Sequence, residues 1–136
     1  MKLLVDTNVL ISAVICDRLP DRVIKHIAAQ DDWLWMATPD IDAEYRRVLN
    51  RPRFRLAADV VDEWLRFLEG CIIPATVDDV EIEFPRDPKD SMFLAAANAI
   101  DADFLITGDK DFQDARRLIA TRIVTVAEFA KLFNIA

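Results

Sequence analysis

Short apolar runs alternate with longer amphipathic ones along this chain. Leu3 to Val5 is an apolar run that reads as a buried strand. Three polar residues, Asp6, Thr7 and Asn8, interrupt it, and Val9 to Val14 is apolar again with the length of a first helix. Pro20 opens a second helix, with Val23, Ile24, Ile27 and Ala28 at helical spacing and Asp21, Arg22, Lys25 and Gln30 opposite them. His26 stands beside that stripe as a boundary residue. Trp33 to Ala37 predicts a second strand. Thr38-Pro39-Asp40 then sets out a helix start, with an N-cap, a proline at the first position and an acid in the first turn. Ile41, Tyr45, Val48 and Leu49 share one face of this third helix. Ala57 to Glu69 predicts a fourth helix, closed by Gly70 as a C-cap. Its stripe of Val60, Val61, Trp64, Leu65 and Leu68 suits core or a subunit interface. Cys71 to Pro74 reads as a third strand, and the acidic stretch from Asp78 to Phe84 as a loop. Asp87 is placed to cap a helix that begins at Pro88 and runs through Ile100, with an alanine-rich face for close packing. Phe104 to Ile106 and Ile123-Val124 read as fourth and fifth strands. Thr125 caps a last helix with Phe129, Leu132 and Phe133 turned inward. Strands alternating with helices predict one three-layer α/β domain over residues 1–136, with a central parallel sheet of about five strands flanked by helices.

Composition narrows what such a domain can do. The 136 residues are 53% hydrophobic and 30% charged, an ordinary globular mix. No apolar run reaches membrane-spanning length and the first residues lack the form of a signal peptide, so the cytosol is expected. Cys16 and Cys71 lie far apart at the edges of apolar runs and read as small hydrophobes rather than a disulfide. A single histidine excludes a histidine-pair ribonuclease mechanism and a zinc site built on several imidazoles. Two glycines, Gly70 and Gly108, cannot make a P-loop or a dinucleotide turn. The only serines, Ser12 and Ser91, lie outside any nucleophile elbow. Carboxylates are left to carry chemistry. The net charge of −7 speaks against indiscriminate nucleic-acid binding, but acids gathered around a divalent cation change sign locally when it binds.

Four acids stand in related places. Asp6 and Asp109 follow strands; Glu44 and Asp90 lie in helices that follow a strand or a loop. In a parallel sheet all strand ends share one edge, and crossover geometry sets the first and fourth strands on either side of a crevice in many topologies. Each acid also has a structural reading. Asp6 and Asn8 suit a turn with a helix cap, Glu44 an ion pair with Arg47 or an exposed position beside Arg46, Asp90 a capping arrangement with Asp87, and Asp109 and Asp111 a turn. If the four converge, their repulsion calls for a cation, and oxygen ligands suit Mg²⁺ or Mn²⁺. Such a centre suits phosphodiester hydrolysis. Arg46, Arg47, Arg51, Arg53 and Arg55 crowd the end of the third helix, as a phosphate-tracking surface, a dock for an acidic partner, or a solvated face at a helix C-terminus.

The chain resembles the PIN domain family, and within it the compact bacterial ribonuclease toxins of toxin–antitoxin pairs (the VapC-like toxins). The likeness is carried by Leu3-Leu4-Val5-Asp6-Thr7-Asn8-Val9-Leu10, by Glu44 in the helix after Thr38-Pro39, by Asp87-Pro88-Lys89-Asp90 leading into Phe93-Leu94-Ala95-Ala96-Ala97, and by Leu105-Ile106-Thr107-Gly108-Asp109-Lys110-Asp111-Phe112. The resemblance implies a PIN-like fold and a metal-binding catalytic quartet at Asp6, Glu44, Asp90 and Asp109. It implies Asn8 and Thr107 as polar supports and Asp87 and Asp111 as outer members. It further implies Mg²⁺- or Mn²⁺-dependent cleavage of single-stranded RNA, a homodimer, and inhibition by a small protein antitoxin. Arg46, Arg47, Arg51 and Arg53 are candidates for contact with RNA or antitoxin.

Two other readings compete. A phosphatase or phosphoryl-acceptor domain also places an Asp after its first strand, but here Asn8 stands where a second Asp belongs and no lysine stands directly after the last strand. A catalytically silent PIN-like binding or scaffold protein would fit the acidic balance, though all four acidic positions are intact.

Overall fold

In the computed structural model, residues 1–15, 18–75, 88–108 and 119–136 are described, with residues 88–91 as backbone alone. Among them are five strands: β1 (Lys2–Val5), β2 (Leu34–Ala37), β3 (Ile72–Pro74), β4 (Phe104–Ile106) and β5 (Arg122–Val124). Six α-helices accompany them: α1 (Thr7–Val14), α2 (Arg18–Ala29), α3 (Pro39–Leu49), α4 (Ala58–Cys71), α5 (Pro88–Ile100) and α6 (Val126–Leu132). A 3-10 turn, Pro52–Phe54, joins α3 to α4. The strands form one parallel sheet in the order β3-β2-β1-β4-β5. This is the α/β architecture that the alternating pattern predicts.

β1 lies at the centre of the sheet. Leu3, Leu4 and Val5 are fully buried, and successive strand residues point to opposite faces, so both faces are covered. That explains why β1 reads as a continuous apolar run rather than an alternating one. Leu3 pairs with Trp35 of β2 on one side and Phe104 of β4 on the other. The chain builds outward from β1 to β3, then returns to the other flank for β4 and β5. The reversal falls between the carboxyl ends of β1 and β4, the place where open α/β sheets leave a crevice.

The helix starts follow the predicted capping chemistry. Thr38 Oγ1 accepts from the Ile41 amide at 3.2 Å, with Pro39 at the first helical position. Thr125 and Glu128 form a reciprocal capping box at α6. Pro88 opens α5 as expected, whereas Asp87 lies outside the described residues. α2 begins two residues before Pro20, which its first turn tolerates because those amides have no intrahelical acceptor.

Two expectations need correction. Gly70 does not cap α4: the helix runs on through Cys71, and Ile72 closes it in extended conformation with its amide on the Leu68 carbonyl. α4 feeds directly into β3, so no left-handed residue is needed. Leu132 is not inward but 49% exposed. Phe129 and Phe133, one turn apart, take the inner face of α6 against Trp33 and Phe104, with ring centroids 4.8–5.9 Å apart between the two sets. That leaves Leu132 on the flank. On α4 only Val61 and Leu68 of the predicted stripe are buried; Trp64 and Leu65 are half-buried. Lys25 of α2 covers part of that face, its ammonium 4.6 Å from the centre of the Trp64 ring. The Cys71 thiol is free and half-buried, and burial raises its pKa. His26 is half-buried with its ring 5.4 Å from that of Trp33, the boundary position expected of it. Among the described residues no helix is long and apolar enough to cross a membrane.

Candidate functional site

Asp6 is the first residue beyond β1. Its amide donates to the Ile106 carbonyl at 2.9 Å, and its own carbonyl accepts from Val9 and Leu10 at the start of α1. The backbone of Asp6 therefore performs the N-cap role for α1. Its side chain does not: no side-chain cap bond is made. Instead Asp6 Oδ2 accepts from Thr107 Oγ1 at 2.8 Å. Thr107 is the first residue beyond β4, so the bond closes across the reversal point of the sheet. Both groups are deeply buried, Asp6 at 6% and Thr107 at 2% exposure. A turn-and-cap role thus accounts for the backbone of Asp6 and not for its carboxylate. Leaving a carboxylate in such a place is costly unless charge or hydrogen bonds compensate it.

The neighbours of Asp6 are also polar. The Thr7 hydroxyl is buried and has no hydrogen-bond partner among the described residues. Asn8 is exposed on the first turn of α1.

α3 contributes from the side. The phenol of Tyr45 donates to the carbonyl of Val5, the residue before Asp6. Tyr45 is fully buried, and burial, with the negative charge of Asp6 adding to it, pushes its pKa well above the usual tyrosine value. This bond ties α3 to the end of β1. Glu44, the adjacent residue, has a side chain only 12% exposed, and its Oε1 lies 3.0 Å from Arg47 Nη2. The ion pair considered from the spacing is therefore formed. Arg46 is engaged on both sides, with Asp42 at 3.0 Å and Glu69 of α4 at 3.5 Å.

Asp90 is the third residue of α5, a helix that packs on β1, β4 and α3. α5 thus packs on the strands that lead to Asp6 and Thr107 and on the helix that carries Glu44, with Asp90 in its first turn. Asp109 and Asp111 follow Thr107 by two and four positions and, like Asp87, lie outside the described residues. Among the described residues no three of His, Cys, Asp and Glu gather as a metal site. The donors that the structure does place, a buried Asp6 carboxylate and the carboxylate of Glu44, are hard oxygens of the kind that Mg²⁺ and Mn²⁺ take.

Sequence reasoning missed Tyr45 and Thr7. Tyr45 is legible as a core position, but its hydroxyl needed a partner, and that was the available signal. Thr7 stands in the polar run after the first strand, but nothing in the pattern marks its hydroxyl as buried.

A family model of the PIN domain matches residues 2–111. This chain belongs to the PIN domain family. Among solved structures, a chain in the crystal structure of VapBC2 from Rickettsia felis bound to a DNA fragment from their promoter is similar to this PIN domain. The TM-score is 0.65 at 13% identity, over 92% of this chain and 98% of that one. At that identity the likeness is one of fold. A search of the curated proteins gives no match. The stretch matched to the PIN domain includes Asp6, Glu44, Asp90 and Asp109, the acids expected to converge.

Proposed function

We propose that this protein is a single-domain, Mg²⁺- or Mn²⁺-dependent endoribonuclease that cleaves single-stranded RNA. In this reading it is the toxin of a type II toxin–antitoxin pair, a cytoplasmic homodimer restrained by a protein antitoxin. The observation that carries the reading is the buried Asp6 carboxylate, turned away from its helix and onto Thr107 at the reversal point of the sheet. Membership of the PIN domain family supports the nuclease class, and the fold shared with a chain of a VapBC2 structure supports the toxin–antitoxin setting.

Asp6, Asp90 and Asp109 would hold the cation, directly or through water. Glu44 would complete that set or orient the attacking water. When bound, the cation supplies an activated water and offsets the charge that builds on the phosphate. The chain's own residues prepare the place. Thr107 fixes one oxygen of Asp6, Arg47 holds the Glu44 carboxylate, and Tyr45 pins the helix that carries Glu44 to the strand that carries Asp6. Asn8 would support from the rim, and Asp87 and Asp111 from outside the ligand set.

The test is RNA cleavage by purified protein shown to be free of a partner. Cleavage is expected with Mn²⁺ or Mg²⁺, and none with a chelator or in Asp90→Asn. Undiminished cleavage in chelator would remove the metal from the reading; Mn²⁺ binding without any cleavage would turn it toward a silent PIN-like binding protein.

Thr107→Val keeps the shape of the side chain and removes the hydroxyl that orients Asp6. Loss of such an outer-shell bond weakens metal binding by about 10–100-fold. Calorimetric titration with Mn²⁺ checks this, and an unchanged affinity would dismiss Thr107 as a support.

A further inference from the structure

The end of α3 and the turn after it carry a charge that the rest of the chain lacks. The sequence has 24 acidic and 17 basic residues, yet residues 45–58 contain five arginines and no acid. The structure divides those arginines into two groups. Arg46 and Arg47 are engaged with Asp42, Glu69 and Glu44. Arg51, Arg53 and Arg55 form no ion pair among the described residues. Arg53 and Arg55 are exposed and Arg51 is half-buried.

The backbone beneath these three is ordered by hydrogen bonds. The Arg51 amide donates to Val48, Phe54 to the Arg51 carbonyl, and Arg55 to the Pro52 carbonyl. Phe54 and Leu56 anchor the turn by packing on the core. The Arg53 guanidinium stands 4.9 Å from the centre of the Phe54 ring. Arg55 is held at φ 48°, a left-handed conformation that favours glycine or asparagine. That conformation closes the 3-10 turn, with the Arg55 amide on the Pro52 carbonyl.

The dipole of α3 is an insufficient cause. It rewards cations within the last turn and falls off beyond it. Arg46 and Arg47 lie in that turn; Arg53 and Arg55 lie past it.

Resting on the nuclease reading above, we infer that Arg51, Arg53 and Arg55 form a docking strip for the phosphate backbone of single-stranded RNA. Guanidinium forks match phosphate oxygens in bidentate geometry. A protein partner would want an apolar centre within its interface, and here Phe54 and Leu56 are partly buried against the core. Outward the turn presents Arg53 and Arg55 beside Pro52, with no large hydrophobic side chain exposed there. α3 ends five residues beyond Glu44, about 7.5 Å of helix rise, and Arg51 follows two residues later, a separation that one strand of a few nucleotides spans.

The experiment measures binding of a short labelled single-stranded RNA by fluorescence anisotropy across a salt series, in chelator so that binding is read apart from cleavage. The variant is Arg51→Ala/Arg53→Ala/Arg55→Ala. The control is Arg18→Ala/Arg22→Ala/Arg66→Ala, which removes the same charge at exposed positions elsewhere. Three lost phosphate contacts should flatten the log–log salt dependence by about 2 and weaken low-salt binding by roughly tenfold or more. The control should stay within about twofold of the parent. Circular dichroism should show both variants folded. Parent-like binding by the strip variant, beside normal metal-dependent cleavage by the parent, would overturn the strip and leave the nuclease reading standing. Salt-dependent binding lost in the strip variant, from a parent that cuts no RNA, would uphold the strip and sink the nuclease reading. No RNA binding by the parent, with or without Mg²⁺, would overturn both. A polyglutamate peptide bound as tightly as RNA, and lost in the same variant, would reassign the strip to an acidic protein partner.

Discussion

Asp6→Asn is expected to lower metal-dependent RNA cleavage by roughly a thousandfold or more, while the protein stays folded. Electrostatic stabilisation by a bound cation contributes several kcal/mol to such a reaction, and about 4 kcal/mol is a thousandfold in rate. Asparagine keeps the shape of the side chain, and its carbonyl oxygen can still accept the 2.8 Å bond from Thr107. The backbone bonds from Asp6 to Ile106, Val9 and Leu10 do not depend on the side chain. What the variant lacks is the anionic oxygen. A second readout separates this from a folding defect. A cation that binds only the native protein stabilises it by about 2.7 kcal/mol at a hundred times its dissociation constant. Mn²⁺ should therefore raise the melting temperature of the parent and leave Asp6→Asn nearly unmoved. A variant that cuts RNA normally, or that gains the same stabilisation from Mn²⁺, would show that Asp6 does not hold the metal.

The central strand was the most legible part of the chain. A buried strand needs apolar residues on both faces, so Leu3 to Val5 could be recognised without knowing its neighbours. Helix starts were legible for a similar reason: Thr38 and Thr125 act on amides three residues away, and local chemistry is written locally. Helix ends were less so. Gly70 carries a C-cap signal, but α4 passes straight into β3, and only the sheet pairing of Ile72 with Trp35 shows why no cap is needed. Leu132 failed because spacing alone allows three neighbouring residues on the inner face of α6, and the aromatic packing admits two.

The candidate site was legible as a set of positions rather than as contacts. Asp6 and Thr107 are separated by 101 residues, and their bond exists because β4 returns to lie beside β1. No property of either residue states that pairing. The structure also shows that the Asp6 side chain accepts from Thr107 rather than capping α1, which the sequence leaves open because a cap and a ligand look alike there. For Glu44 the position near the apolar face was readable, as was Arg47 as a partner; the degree of burial was not. Tyr45 shows the same division. Its place on the core face follows from helical spacing, whereas its acceptor, Val5, is 40 residues away on another element.

That buried phenol makes the stability of the protein sensitive to alkali, and Tyr45 is the only tyrosine in the chain. Burial, then the nearby charge of Asp6, raises its pKa in the folded state. Below about pH 10 the phenol keeps its proton whether the chain is folded or not, so this residue adds no pH dependence there. Above that, the unfolded chain releases the proton and the native state retains it. The unfolded state then binds fewer protons, and stability must fall as pH rises, by about 1.4 kcal/mol per pH unit. Two units above the ordinary tyrosine value, the loss reaches about 3 kcal/mol, a large part of the roughly 5–15 kcal/mol that holds a domain together. Tyr45→Phe removes this slope. At neutral pH it is the less stable protein, by about 1–3 kcal/mol, because the Val5 carbonyl is left buried without its donor. The two stability curves, measured by urea unfolding at a series of pH values, should therefore converge and cross between about pH 11 and 12. Every other titrating group is common to both proteins and cancels in the difference. Absorbance near 295 nm gives an independent reading, since tyrosinate should appear only as the parent unfolds. Parallel curves, or tyrosinate forming in the folded protein near its ordinary pKa, would mean that the phenol is open to solvent and does not tie α3 to the strand bearing Asp6.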